Sequence, residues 1–107
     1  MLIAIAAVTT LGPRIPRESQ LRFALGPGHA EIVELRVAYV QGGEVLKGVR
    51  FDFPEGAPAE VAHRVSLPSG PCEVRAELLA RDNRLQQVVR RWESPSEGHL
   101  RLQLAPP

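Results

Sequence analysis

Residues 61–78 run Val61-Ala62-His63-Arg64-Val65-Ser66-Leu67-Pro68-Ser69-Gly70-Pro71-Cys72-Glu73-Val74-Arg75-Ala76-Glu77-Leu78. Val61, His63, Val65 and Leu67 take alternate positions, with Ala62, Arg64 and Ser66 between them. After the proline-glycine cluster, Cys72, Val74, Ala76 and Leu78 alternate with Glu73, Arg75 and Glu77. Successive side chains of a strand point to opposite faces, so this alternation marks two strands with one buried face each. Pro68-Ser69-Gly70-Pro71 reverses the chain, because proline presets φ and glycine tolerates the backbone angles that tight turns need.

The same period extends in both directions. Leu21, Phe23 and Leu25 alternate with Arg22 and Ala24 before the break at Gly26-Pro27-Gly28. Val33, Leu35, Val37 and Tyr39 alternate with Glu34, Arg36 and Ala38. Ile32, Leu35 and Tyr39 also fit helical spacing, but the β-branched content and the closing Gly42-Gly43 favour a strand and hairpin. Val49, Phe51 and Phe53 follow, and Pro54-Glu55-Gly56 ends them. Asp82-Asn83 marks a further turn. From Leu85 to Glu93 the pattern is less clean: Gln86, Val88, Arg90 and Trp92 share one face, and Leu85, Gln87, Val89 and Arg91 the other. Leu100, Leu102 and Leu104 form the last inward row, with His99, Arg101 and Gln103 outside.

Ten prolines and nine glycines in 107 residues leave little room for long helices, and 44% apolar content is enough for one core. Together these features predict one all-β domain over residues 20–105, an antiparallel sandwich of about seven strands.

The first residues differ. Leu2-Ile3-Ala4-Ile5-Ala6-Ala7-Val8 is an unbroken apolar run, too short for the roughly 20 residues a bilayer span needs. No positive segment precedes it, so it is not a complete signal peptide. Residues 1–12 read as an anchor or signal remnant, or as an extra strand, and residues 13–19 as a stiff polar linker. The Pro13 and Pro16 spacing favours the anchor reading, because it detaches the run from the domain.

Leu67, Pro68, Gly70 and Val74 resemble the Leu-Pro-x-Gly-x-Tyr-x-Val turn of prealbumin-like and immunoglobulin-like modules in exported bacterial proteins, with Cys72 in place of the tyrosine. Phe53, Gly56-Ala57-Pro58, Val61 and His63 fit the same style more loosely. The resemblance implies a cell-envelope accessory domain, in the periplasm or tethered to a membrane, with no catalytic residue.

The chemistry in the sequence agrees with that expectation. A net charge of +1 offers no basic surface for nucleic acid. Cys72 has no partner for a disulfide and reads as a small buried hydrophobe. His29 and His99 fall on turn and outward positions and read as solvated. His63 falls on an inward row, as a boundary histidine bonded to backbone. None of the three has metal-ligand spacing. Arg90-Arg91-Trp92 is the one basic-aromatic juxtaposition.

His63, Arg90 and Trp92 are therefore the candidate ligand or contact residues, and no cofactor or metal is expected. The leading expectation is a non-enzymatic envelope module that contacts an unidentified protein. The alternative is a small soluble, cytoplasmic ligand-binding protein with a pocket near His63 and Trp92.

Overall fold

The computed structural model describes residues 15–103. Seven strands follow in order: β1 (Arg17–Ala24), β2 (Ile32–Gln41), β3 (Glu44–Asp52), β4 (Glu60–Leu67), β5 (Gly70–Ala80), β6 (Leu85–Ser94) and β7 (Gly98–Arg101). One 3-10 turn, His29–Glu31, precedes β2. The strands form a three-stranded sheet, β4-β1-β7, and a four-stranded sheet, β3-β2-β5-β6. This is the all-β, two-sheet architecture the alternation predicts. The apolar segment 1–12 and Leu104 lie outside the described residues.

The inward rows meet in one core. Leu21, Phe23, Val61, Val65 and Leu67 come from the smaller sheet, and Leu35, Val37, Tyr39, Val74, Ala76 and Leu78 from the larger. Burying a large aliphatic or aromatic side chain contributes about 1.5–3 kcal/mol. An exposed ion pair such as Arg22–Glu60 contributes about 0–1 kcal/mol. The core rows therefore decide the fold, and the surface charges decorate it.

Three features depart from the sequence reading. Arg17, Glu18 and Ser19, read as the end of a linker, are the first residues of β1; Ser19 is buried and lies opposite Val65. The alternation thus begins two residues before its first large hydrophobe, with a small polar side chain that carries no hydropathy signal. The sandwich is not wholly antiparallel, because β7 runs parallel to β1, with Leu21 opposite Gly98 and Ala24 opposite Arg101. Finally, the helical spacing of Ile32 and Leu35 is a β-bulge. Ile32 pairs with Ala80 and Glu34 with Leu79, so two steps on β2 match one on β5. Both Ile32 and Leu35 then face the core although they are three residues apart.

The turns follow from their residues. Gly42 and Gly43 have φ of 58° and 80°, the two positive angles of a type I′ hairpin between β2 and β3. β6 also becomes legible. Val88 and Trp92 face the core, while Gln86 and Arg90, on the same row, lie at the open side and reach toward the chain beside β7.

Candidate functional site

His63 lies on β4 at the edge of the smaller sheet, half-buried, and faces Tyr39 near the C-terminal end of β2. Its Nδ1 is 2.8 Å from the Tyr39 hydroxyl. The two rings stack with centroids 5.8 Å apart, and Phe51 of β3 meets the imidazole edge-on at 5.6 Å. The sequence reading gave His63 a backbone partner. The structure gives it a phenol, because the opposing sheet brings a tyrosine 24 positions away to the ring.

Burial lowers the pKa of His63, and the nearby Lys47 ammonium lowers it further. Burial likewise raises the Tyr39 hydroxyl far above its ordinary value. Both groups are therefore neutral near pH 7, and one hydrogen bond joins the phenol oxygen and Nδ1. A neutral imidazole whose Nδ1 is already engaged is a poor general base from that nitrogen.

Trp92 joins the same cluster from β6, edge-on to Tyr39 at 6.5 Å. It is 8% exposed, and its Nε1 has no hydrogen-bond partner. The indole lies directly against Gly98, where an added Cβ would come within 2.9 Å of Nε1. Cys72 is buried, opposite Trp92 in the β5–β6 ladder, and burial raises its thiol pKa. A reactive cysteine needs the opposite shift.

The structure thus links His63 and Trp92 through Tyr39, a residue the sequence reading did not single out as functional. Arg90 stands apart. Its Nε donates to the Arg101 carbonyl at 3.1 Å, so it ties β6 to β7 across the gap between sheets. His29 is not a solvated turn residue: its Nδ1 is 2.8 Å from the Ala57 carbonyl, joining two loops. His99 is exposed, with Nε2 3.3 Å from Glu60. Among the described residues no group of three or more metal-ligating side chains gathers, and no helix is long and apolar enough to cross a membrane.

One open recess lies apart from this cluster, and another borders it at Trp92. The first, of about 810 Å³, spreads over the outer face of the larger sheet. Gly48 and Ala38, paired across β3 and β2, form its floor, and Arg36, Arg50 and Arg75 stand around it. Each arginine is paired with an acid on the same face: Arg36 with Glu34, Arg50 with Glu34 and Asp52, and Arg75 with Glu73. The other recess, of about 540 Å³, includes Trp92, Cys72 and Arg91 at the end of the sheet bearing the Gly42-Gly43 hairpin.

No protein-family model matches the chain, and no curated protein sequence matches it. Among solved structures, a leucine-rich repeat protein from Bacteroides thetaiotaomicron VPI-5482 is similar over 81% of this chain, at 11% identity and a TM-score of 0.46. The matched stretch spans 12% of that protein's chain, and so slight a likeness carries no statement about fold or function.

Proposed function

We propose that this chain is a non-enzymatic β-sandwich module of the bacterial cell envelope with a structural or protein-contact role. The observation that carries this reading is the engagement of His63. The side chain with the best claim to ligand chemistry is occupied with Tyr39 and Phe51, where it joins the two sheets. The apolar run at residues 2–8 supports the envelope address as a tether.

Of the two module types named by the Leu67-Pro68-Ser69-Gly70 turn, the strand pairing favours the prealbumin-like one. In a constant-type immunoglobulin sandwich the first strand shares a sheet with the second, fourth and fifth. Here β1 shares its sheet with β4 and β7.

Fractionation of cells making the native product, with intact mass to define its first residue, tests the envelope address. Recovery from membrane or periplasm supports the reading. Recovery as a soluble cytoplasmic chain starting at Met1 overturns it.

One observation favours a second reading, a small ligand-binding protein. Trp92 lines a recess and has an unpaired Nε1. A ligand whose stabilising effect on melting disappears in His63→Phe would select that reading over the first.

A further inference from the structure

The described chain enters the smaller sheet at Arg17 and leaves it past Leu102. Because β1 and β7 are parallel neighbours, these two points lie at opposite poles of the sandwich. Beyond β7 the Leu102 N–H donates to the Ala24 carbonyl at 2.8 Å, at the far end of β1. A pull that separates the chain ends draws β1 toward one pole and β7 toward the other. The ladder between them is then loaded along its length, so its bonds resist together. In an antiparallel terminal pair the ends would emerge at one pole, and the bonds would open singly.

Other ties converge on the same pair. β1 is the central strand, and eight residue pairs, Arg17–Leu67 to Ala24–Glu60, hold it to β4 as well. β7 has only four residues, yet several groups secure it. The Ser96 N–H, just before it, donates to Ser19 Oγ of β1 at 3.2 Å. Gly98 lies against the Trp92 indole. Arg90 and Gln86 of β6 donate to the carbonyls of Arg101 and Gln103, at 3.1 and 2.9 Å. These last two bonds fasten the exit strand to the opposite sheet.

We propose that the β1–β7 pair makes this domain a load-bearing link, built to resist tension applied between its two chain ends. The inference rests on the structural role proposed above and adds the direction in which that role is exercised. Neither a ligand nor an enzymatic step enters it.

Single-molecule stretching of the full chain between two marker domains tests it, with two attachment geometries compared on one fold. In the first, force acts through the two chain ends. In the second, it acts through the N-terminal end and the sulfur introduced by Ser69→Cys. Ser69 is exposed in the turn beside Arg17 and Leu67, so this pull unzips β1 from β4 one pair at a time. Buried Cys72 leaves residue 69 as the accessible attachment point.

The expected result is an unfolding force several-fold higher through the chain ends than through residue 69. Arg90→Ala should lower the end-to-end force and leave the other unchanged. Equal forces, a weaker end-to-end force, or an early low-force release of β7 alone would overturn the proposal. Each of those results would leave the envelope address standing, since fractionation decides that separately.

Discussion

Tyr39 and His63 show how a single contact ties a local pattern to the whole fold. The imidazole has its pKa lowered by burial and by Lys47, so folding favours its neutral form. The unfolded chain therefore binds the proton more readily, and this contribution to stability rises with pH. It is fully present above the unfolded histidine value of about 6.5 and is lost as pH falls from there through the lower folded value. The chemical-denaturation midpoint should drop between neutral and mildly acidic pH, and His63→Phe should flatten that part of the profile. An unchanged profile in the variant would assign the dependence to other groups.

Gly56 offers a second test at this scale. Its φ is 103°, and a Cβ there would collide with the Ala30 carbonyl. Gly56→Ala should cost about 1–3 kcal/mol from the disfavoured backbone alone, read from urea unfolding.

At the scale of elements, β2 and β3 differ in what they tolerate. β2 is paired on both sides, whereas β3 is an edge strand held only by β2. Gly48 sits in the middle of β3 without a positive φ, and an added Cβ would meet only the Val37 carbonyl, at 3.8 Å. Glycine within a strand costs roughly 0.5–1 kcal/mol relative to alanine, so Gly48→Ala should stabilise the domain by about that amount. A thermal melt that falls instead would show that the recess above Gly48 has to stay open. The inward row of β6 reads the same way. Gln86 and Arg90 spoil its apolar alternation because β7 and the residues after it supply carbonyls for them. That pattern makes sense only once a second strand is beside it.

Across the whole molecule, the two sheets enclose one core and leave their charged faces outward, where Arg36, Arg50 and Arg75 are each matched by a nearby acid. Exposed pairs of this kind contribute little to stability, so the outer face is free to vary without endangering the fold. Strand positions, most inward rows and the main turns were legible in the sequence, because a pleat of period two and the backbone angles of glycine and proline act over a few residues. His63 was legible as an inward histidine for the same reason. Its partner Tyr39, the tie from Arg90 to Arg101 and the parallel seating of β7 on β1 were not. Those contacts join residues 24, 11 and 77 positions apart. Which distant strands become neighbours is decided by how the sheets bury their apolar faces against each other, and no local pattern records that choice. The sequence by itself thus determined an all-β chain with a known inward face on most strands. Only the tertiary structure decided which strands share a sheet, what His63 touches, and that the chain crosses the domain from pole to pole.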